Sequence, residues 1–344
     1  MSTAILGAAG FLGVNLVDAL LARGERPRCV RRARTNVLAL RQRKVPMAQA
    51  DLERREELYE ALRGIDTVFH LAGHYPRHCL TPEATVATGL RQLEHVLDAA
   101  AAAKVQTLVY VSSTATVAPA GGRPSTEADV FEAAPQLGPY HELKWRMEQR
   151  ALEETRLDVR VACPAACLGP HDLKVGTQAL LVALALGLDP PHPDGWVSWV
   201  DARDVAVGLV RLAEEPAPCR RVVLSAGTSR LHALMLALAA RYGVARPSAP
   251  LPAPQAIALA DAEEARALAH GGRARLSREI ADLIVHGVEL DASLSRRALG
   301  LEYRPLYETL DAFDAWARGV GILPRSTEGA PWKPPPISTP ASSA

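Results

Sequence analysis

The chain carries a tyrosine and a lysine that are spaced for proton transfer. Tyr140 and Lys144 are four positions apart, so on a helix they share one face one turn apart. A nearby ammonium stabilises a tyrosinate and lowers a phenol pKa that is ordinarily about 10, so that a phenol can exchange a proton near neutral pH. Such a pair taken alone is common and structural in most chains, but together with a glycine-rich turn at residues 7–13 it predicts an acid/base centre.

Hydroxyl side chains follow an apolar strand pattern, ahead of this helix in the chain. Ser112, Ser113 and Thr114 come directly after the segment Leu-Val-Tyr-Val. At the carboxyl edge of a parallel sheet, such hydroxyls could hydrogen-bond the oxygen of a substrate. The tyrosine, the lysine and these hydroxyls together predict a site for carbonyl chemistry.

A glycine-rich turn stands between the first predicted strand, residues 3–7, and the first predicted helix. Glycines there permit a tight turn and let a pyrophosphate approach the helix N-terminus. An ordinary glycine turn is the alternative reading, but the strand-turn-helix setting favours a dinucleotide site. The residues of the turn are Gly7, Ala8, Ala9, Gly10, Phe11, Leu12 and Gly13.

Two arginines stand where the type of dinucleotide is selected. NAD-preferring sites place a carboxylate near the end of the second strand, and here Arg31 and Arg32 occupy that position. A guanidinium would pair with a 2′-phosphate, so NADP(H) is favoured over NAD(H). The alternative is an arginine-rich, solvated strand end. Asp51, with Leu52 beside it, could cap the adenine amino group, although a plain surface aspartate fits nearly as well.

The elements around these residues alternate between strands and helices. Strand patterns at 26–32, 67–72, 107–112 and 158–162 are separated by helical patterns, including one at 140–154. Because the strands are too apolar to be half-exposed, we expect an α/β fold: a Rossmann-type doubly wound parallel sheet with a smaller C-terminal substrate lobe.

Proline-rich connections after Pro164 indicate where the second lobe begins. We predict a dinucleotide-binding domain over 1–163, to which about 197–224 returns, and a substrate lobe over 164–196 and 225–323. The segment 196–200 predicts an isolated apolar strand. Residues 324–344 are rich in Pro, Ser and Thr and predict an irregular tail.

Composition excludes several classes of protein. With 39 Lys+Arg against 38 Asp+Glu, the net charge of +1 gives no general attraction to nucleic acid. No apolar run is long enough for a transmembrane anchor, and the N-terminus lacks the basic start of a signal peptide. The 5 cysteines include no CxxC pair, which favours a reducing compartment. We expect a cytoplasmic protein.

A metal site is not expected. His70, His74 and His78 have a helical metal spacing, but His70 ends a strand and glycine and proline break the segment that follows. Cys163 and Cys167 have apolar neighbours and are interpreted as packed thiols.

The motifs taken together resemble the extended short-chain dehydrogenase/reductases, also called the NAD-dependent epimerase/dehydratase family. Within it, VFHLAGHYPRH and PAACLGPHDLKVGT are most similar to the dihydroflavonol-reductase-like branch and the hopanoid-associated sugar epimerases. The motifs are GAAGFLG at 7–13, ADL at 50–52, VFHLAG at 68–73, YVSSTATV at 110–117, YHELK at 140–144, WVDARDVA at 199–206 and LGLEYRP at 299–305.

The resemblance implies roles for individual residues. Thr114 would be the catalytic hydroxyl, with Ser113 the fallback, and Tyr140 would be the acid/base. Lys144 would bind the nicotinamide ribose and lower the pKa of Tyr140. The cofactor would also lie along Leu71, Ala72 and Gly73 and near Pro164. A homodimer is possible through the helices that follow Gly89 and Tyr140.

Two positions depart from the family pattern. Val86 stands where the family usually has a supporting Asn, which puts proton relay through that residue in doubt. Cys163 replaces an Asn before Pro164 that is frequent in sugar-nucleotide epimerases, and from Pro164 to Val200 the only Lys or Arg is Lys174. A diphosphate-binding substrate site is therefore disfavoured.

The sequence thus favours an NADP(H)-dependent reductase of a ketone or aldehyde on a largely apolar or aromatic small molecule. The apolar run 179–188, with Trp196 and Trp199, would offer surface for such a substrate, although either tryptophan fits a core equally well. The alternatives are a sugar-nucleotide epimerase or dehydratase of the same family, and a non-catalytic NAD(P)-binding regulator or scaffold.

Overall fold

Short segments that are mostly apolar form the strands, as their composition predicts. The structure is a computed structural model, and it describes residues 2–73, 82–214, 216–217 and 219–324. The predicted tail lies outside these residues from position 325. Within the described residues the strands are β1 (Thr3–Leu6), β2 (Arg28–Arg31), β3 (Met47–Gln49), β4 (Thr67–His70), β5 (Thr107–Val111), β6 (Asp158–Pro164), β7 (Ala166–Leu168), β8 (Trp196–Asp201), β9 (Arg221–Leu224) and β10 (Gly227–Arg230).

Seven of these strands form one parallel sheet. Its order is β3-β2-β1-β4-β5-β6-β9, and every neighbouring pair is parallel. The chain builds outward from β1 in one direction and from β4 in the other, so the strand order reverses between β1 and β4. This sheet, with the helices that flank it, confirms the predicted Rossmann-type α/β fold.

Helices separate most of the strands. Several start where a capping residue or proline predicts, for example at Pro139, and the predicted helix over 140–154 is observed one or two residues displaced. Within the described residues the helices are α1 (Phe11–Ala22), α2 (Leu38–Gln42), α3 (Arg55–Leu62), α4 (Pro82–Ala102), α5 (Pro139–Leu152), α6 (Ala179–Ala185), α7 (Ala202–Leu212), α8 (Leu231–Tyr242), α9 (Ala253–His270), α10 (Arg278–Val285), α11 (Ser293–Ala298) and α12 (Leu306–Gly319).

Both faces of the large sheet are buried, because successive side chains of a strand point to opposite sides. In β5, Leu108 and Tyr110 pack with α3, α4 and α5, whereas Val109 and Val111 pack with α1 and α7. These strands therefore read as continuous apolar runs and not as alternating ones. The two covered faces leave the strand ends as the part of the sheet that can reach a ligand.

A second, three-stranded sheet has the order β10-β8-β7. The segment 196–200, expected to be an isolated strand, is instead the central strand of this sheet, antiparallel to β10 and parallel to β7. The partner strands escaped prediction because they contain only three and four residues, and β10 reads Gly-Thr-Ser-Arg. In the segment 197–224, β8 joins the small sheet and β9 joins the large one. The division into a dinucleotide-binding domain and a substrate lobe is kept as a proposal.

A further apolar core links helices in the C-terminal part of the chain. Leu184 of α6, Met235 of α8, Ile284 of α10 and Phe313 of α12 all belong to it and are buried. Among the described helices, none combines the length and apolar character that a membrane crossing requires.

A buried histidine ends β4. His70 is 1% exposed, and its ring lies 5.7 Å from the ring of Tyr110, centroid to centroid. Neither of its ring nitrogens has a hydrogen-bond partner among the described residues. Burial, reinforced by the positive charge of Lys144, lowers the pKa of His70 to about 3. His70 is therefore neutral at pH 7.

This histidine should make stability depend on pH. Because the folded state resists protonation and the unfolded state does not, the unfolded state binds more protons below pH 6.5, and stability falls as pH falls. At pH 5 the loss attributable to His70 is about 2 kcal/mol of unfolding free energy. We expect His70→Phe to remove this loss in urea unfolding at pH 7 and pH 5.

The control is His270→Phe, at an exposed position at the end of α9, which should leave the difference between the two pH values unchanged. If His70→Phe retained the full wild-type loss between pH 7 and pH 5, the burial of a neutral imidazole would not be its cause.

Candidate active site

The structure brings Tyr140 and Lys144 together at the start of α5. Pro139 occupies the first turn of the helix, and Gly138 before it has a φ of +122°, a value that favours glycine. Tyr140 is partly buried, whereas Lys144 is only 5% exposed. The Lys144 Nζ lies 6.0 Å from the centroid of the Tyr140 ring. The predicted helical face is thus formed, with the ammonium on its inner side.

The Lys144 ammonium also contacts the end of β5. Its Nζ donates a hydrogen bond to the carbonyl oxygen of Val111 at 3.3 Å and lies 5.6 Å from the centroid of the Tyr110 ring. A buried ammonium needs such partners, because leaving water without them is costly. The bond joins the start of α5 to the end of the strand that precedes the hydroxyl residues.

Ser113 and Thr114 follow this strand in a short 3₁₀ turn over Thr114–Thr116. The Ser113 hydroxyl accepts a hydrogen bond from the Ala115 N–H at 3.2 Å, so its own hydrogen stays available to another acceptor. Ser113 and Thr114 are both partly exposed, whereas Ser112 and Thr116 are buried. Ser113 and Thr114, the two candidate catalytic residues, are therefore the hydroxyl residues around this turn that solvent reaches.

A buried polar network supports the turn, and the sequence interpretation missed it. The Thr116 Oγ1 lies 2.8 Å from a carboxylate oxygen of Glu148, and Arg221 donates to Glu148 at 2.6 Å and to Thr116 Oγ1 at 3.1 Å. Glu148 is one turn beyond Lys144 on α5, so the spacing 140, 144, 148 was a usable signal. Arg221 lies in β9, and no local sequence pattern predicted its contact with Glu148.

The glycine turn is packed too closely for larger residues. Gly7 has a φ of +90°, and a Cβ there would lie 2.8 Å from the backbone nitrogen of Ala72. A Cβ on Gly13 would overlap the Gly7 carbonyl oxygen and the Ala8 backbone. The N-cap of α1 is Gly10, which has no side chain to satisfy the first N–H groups of the helix. Backbone donors at this helix start suit an anion.

The segment predicted to lie along the cofactor borders this turn. The Leu71 N–H donates to the Leu6 carbonyl at 3.0 Å, Ala72 contacts Gly7, and Gly73 is exposed. Pro164 ends β6 and is buried, at the same edge of the sheet. The residues around the start of α1 and the end of β4 are thus neighbours in space.

Arg31 and Arg32, the residues predicted to select NADP(H), lie at the end of β2, beside the end of β3. The Arg31 Nη1 donates to Gln49 Oε1 at 3.2 Å and to the Ala33 carbonyl at 3.3 Å, and its Nε is buried without a hydrogen bond among the described residues. Arg32 is exposed. Neither arginine forms an ion pair within the described part of the chain. Both guanidinium charges are available to an anionic ligand.

Asp51 and Leu52 follow β3 in a tight turn. The Asp51 carboxylate accepts a hydrogen bond from the Glu53 N–H at 3.1 Å, and the Leu52 carbonyl lies 2.8 Å from His95 Nδ1. One carboxylate oxygen of Asp51 is thus committed to its own turn. The other stays available to a donor such as an amino group.

The metal reading finds no support in the described residues. No group of three potential metal ligands occurs among them, and His74 and His78 lie outside them. Burial raises the pKa of the Cys167 thiol to about 12 and raises that of Cys163 as well. The Cys163 Sγ lies 3.4 Å from a Glu148 oxygen. Both thiols are buried and protonated at pH 7.

Comparison with known proteins agrees with this architecture. The model of the NAD dependent epimerase/dehydratase family matches residues 3–222. A Synechocystis sp. protein named dihydroflavonol 4-reductase is 26% identical over 93% of this chain and 95% of its own length. The Methylococcus capsulatus sterol demethylase protein B is 27% identical over 94% of this chain and 100% of its own length.

A solved structure extends the agreement to three dimensions. A nucleoside-diphosphate-sugar epimerase from Pseudomonas aeruginosa is 25% identical, covers 94% of this chain and 99% of its own, and superposes with a TM-score of 0.77. The family predicted from the motifs is confirmed. The chain belongs to the NAD dependent epimerase/dehydratase family and is an NAD(P)-dependent oxidoreductase.

Proposed function

We propose that the protein is an NADP(H)-dependent reductase of a ketone or aldehyde carried by a largely apolar or aromatic small molecule. The observation that carries the proposal is the grouping of Tyr140, Lys144 and the Ser113–Thr114 turn at one sheet edge. The names of relatives, which include dihydroflavonol 4-reductase and cinnamoyl-CoA reductase, support reduction of this substrate class.

The chain's own residues fit the cofactor. The start of α1 offers uncapped N–H groups to a pyrophosphate, and Gly7 and Gly13 leave no room for side chains that would obstruct it. Ala9, Phe11 and Leu12 complete the turn. Asp51 and Leu52 would adjoin the adenine. Leu71, Ala72, Gly73 and Pro164 would lie along the nicotinamide half, with the Lys144 ammonium on the ribose.

Arg31 and Arg32 would select the phosphorylated cofactor. Arg31 is held at the end of β2 by Gln49 and a backbone carbonyl, so its guanidinium is partly ordered before a ligand arrives. A 2′-phosphate would form charge-assisted hydrogen bonds with it, whereas a ribose hydroxyl offers no charge. The arginines therefore favour NADP(H).

When bound, the reduced nicotinamide supplies a hydride to the carbonyl carbon. The Tyr140 hydroxyl would donate a proton to the carbonyl oxygen, and Thr114 or Ser113 would hydrogen-bond that oxygen while negative charge develops on it. Lys144, fixed by the Val111 carbonyl, would keep a positive charge behind the phenol. Val86, in the place of the family's Asn, is buried and cannot contribute a polar group.

A cavity of about 540 Å³ offers room for the body of the substrate, within the usual size of small-molecule sites. Leu137, three positions before Tyr140 in the chain, is one of its lining residues. Its lining is formed by Pro119, Ala120, Gly121, Gly122, Arg123, Pro124, Ser125, Leu137, Trp196, Val285, His286, Gly287, Val288 and Glu289.

Most of the apolar residues that the sequence suggested for the substrate site do not line this cavity. Leu181 and Leu184, within the run 179–188, are buried in the core with α8, and Trp199 is 7% exposed. They stabilise the fold and do not line the cavity. Of the residues considered from the sequence, Trp196 alone lines it.

A specific observation favours the second candidate, a sugar-nucleotide epimerase. The Arg230 guanidinium lies 4.8 Å from the centroid of the Trp196 ring, and its Nη1 is 3.7 Å from an Asp194 oxygen. Arg230 lies outside the segment 164–200 whose low positive charge disfavoured a diphosphate, so the sequence argument missed it. The charge of Arg230 is partly balanced by Asp194. Arg123, in the cavity wall, is paired with Asp129 at 2.7 Å. These two ion pairs weaken the case for a diphosphate site.

A homodimer is also proposed, through the outer faces of α4 and α5. These helices lie side by side, and a Cβ on Gly89 would overlap the end of the Leu143 side chain. Close packing between them would present both outer faces to a second copy as one surface. Light scattering of the purified protein measures the state directly.

Replacing Tyr140 by Phe should abolish reduction while leaving cofactor binding nearly intact. The variant loses the proton donor, which is worth about 100-fold to 10,000-fold in rate, but keeps the ring and Lys144. Lys144→Ala should damage both turnover and binding. Turnover is followed by NADPH absorbance with a panel of aryl ketones, and binding by NADPH fluorescence.

Tyr59→Phe, at an exposed position on α3, is the matched control and should behave as wild type. Wild-type rates from the Tyr140→Phe enzyme on a ketone that the native protein reduces would exclude the assigned proton donor.

The cofactor preference is tested by Arg31→Ala. Loss of the charge-assisted contacts should weaken NADPH binding about 10-fold to 100-fold and leave NADH binding nearly unchanged. Arg34→Ala, an exposed arginine in the following turn, is the control. Equal affinities for the two cofactors in the native protein, or a preference for NADH that Arg31→Ala leaves unaltered, would contradict the assignment.

A further inference from the structure

Arg221 extends from the last strand of the large sheet into the buried network beside the candidate catalytic hydroxyls. It is the first residue of β9, which ends the strand order of that sheet. Its side chain is only 10% exposed. A buried guanidinium is stable only when acceptors surround its N–H donors, because those donors have lost water. The acceptors of Arg221 lie in three other segments of the described chain, and together they define what this residue holds in place.

The first of these segments is the turn that carries the candidate catalytic hydroxyls. Arg221 Nη2 donates to the Thr116 carbonyl oxygen at 3.3 Å and to Thr116 Oγ1 at 3.1 Å. The Ser113 carbonyl oxygen lies 2.8 Å from Thr116 Oγ1 and accepts the Thr116 N–H at 3.2 Å. This carbonyl belongs to the peptide that joins Ser113 to Thr114. Arg221 therefore acts, through one residue, on the peptide between the two candidate hydroxyl residues.

The second segment is α5, the helix that carries Tyr140. Arg221 Nε donates to one carboxylate oxygen of Glu148 at 2.6 Å, and the other carboxylate oxygen lies 2.8 Å from Thr116 Oγ1. One turn earlier on the same side of the helix, Lys144 makes its separate contact with the end of β5. Two contacts one turn apart fix the rotation of a helix about its axis as well as its position. The direction in which Tyr140 faces therefore depends on both contacts.

The third segment is the loop that continues from the hydroxyl turn into the cavity wall. Arg221 Nη1 donates to the Glu127 carbonyl oxygen, and a Glu127 carboxylate oxygen accepts the Val223 N–H at 3.4 Å. Residues 119–125, which precede Glu127, line the cavity of about 540 Å³. The loop is thus held on both sides of this wall, at Thr116 and at Glu127. The cavity wall and the hydroxyl turn share Arg221 as an anchor.

Stability alone is a poor explanation for a charged pair at this place. The Glu148 and Arg221 side chains are 1% and 10% exposed, so both charges have left water almost completely. The cost of that transfer offsets much of their attraction, and an apolar pair of similar volume often stabilises a core equally well. An apolar pair could not form directed hydrogen bonds to Thr116. Those bonds are what the charged pair adds to the site.

We propose that Arg221 is a positioning residue that sets the place of the Ser113–Thr114 hydroxyls relative to Tyr140. It acts through Thr116 and Glu148 and not by contact with the substrate. The proposal rests on the function proposed above, since it assumes that these groups act together on a carbonyl oxygen. Misplacing such a group by about 1 Å costs about 100-fold in rate. Loss of the network should slow the chemical step and spare cofactor binding, because the glycine turn lies on other elements.

Two variants remove the network by different routes. Thr116→Val keeps the shape of the side chain and deletes its hydroxyl. The double variant Glu148→Met with Arg221→Met replaces the buried pair by apolar side chains, whereas either change alone would leave one buried charge unpaired. Thr116→Ser restores the hydroxyl and is the conservative control. Arg241→Met is the matched control for stability, because it removes a similarly buried arginine that pairs with Asp314 at 2.6 Å between α8 and α12.

Single-turnover oxidation of bound NADPH by a saturating aryl ketone, α-hydroxyacetophenone, separates positioning from folding. The rate constant reports the chemical step in functional sites, whereas the amplitude reports how many sites are functional. We expect the rate constant to fall about 10-fold to 100-fold in Thr116→Val and in the double variant, at unchanged NADPH affinity. Thr116→Ser should recover most of the native rate constant. Arg241→Met should lower at most the amplitude.

Amide hydrogen exchange of the turn supplies a readout that needs no turnover. The N–H groups of Ala115, Thr116 and Val117 all bond to acceptors within residues 113–114, at 3.2 Å, 3.2 Å and 3.1 Å. A turn that has lost its anchor opens more often, so these amides should exchange about tenfold faster in Thr116→Val and in the double variant. In Arg241→Met they should exchange at the native rate.

The positioning role and the reductase function fail in different ways. Native exchange of the turn in both variants would overturn the role of Arg221, whatever the reaction. A native single-turnover rate constant in either variant, or a loss of amplitude alone, would overturn it as well. If the native protein oxidised NADPH with no ketone while the turn exchanged faster in the variants, the hold of Arg221 on the turn would be supported and the proposed reaction contradicted.

Discussion

The hydrogen bond from the buried Lys144 ammonium to the Val111 carbonyl joins the two parts of the candidate site. It connects α5, which carries Tyr140, to the end of β5, from which the Ser113–Thr114 turn continues. Lys144 is 5% exposed, and a buried ammonium is stable only with partners in place, so this contact restricts how α5 can sit on the sheet. The network of Glu148, Thr116 and Arg221 also joins α5 to the turn that follows β5.

The tyrosine–lysine pair and the glycine-rich turn were predictable because the geometry of each is local. Tyr140 and Lys144 are linked by one helical turn, and the glycine turn needs only the strand and helix on either side. Alternation of apolar segments sufficed for the parallel sheet. Each of these features depends on residues that are close in sequence.

Other features could not be predicted because they depend on contacts between distant segments. Arg221 reaches Glu148 across 73 positions, and the cavity combines residues near 120 with Trp196 and His286. The apolar run 179–188 shows the limit most clearly, since a helix of leucine and alanine reads alike whether it packs in a core or lines a pocket. The structure divides the run, because Leu181 and Leu184 pack in the core whereas Leu186 and Leu188 are exposed.

The central claim is net reduction by hydride transfer with Tyr140 as proton donor, and a deuterium label tests it most directly. NADPH carrying deuterium at the transferred position of its nicotinamide would be incubated with α-hydroxyacetophenone and, separately, with a nucleoside-diphosphate sugar. The account predicts that one deuterium is transferred to the new carbinol carbon for each NADP⁺ formed. It also predicts no conversion of the sugar nucleotide. The account would be contradicted if the sugar nucleotide were epimerised without net loss of cofactor while the ketone was left unreduced.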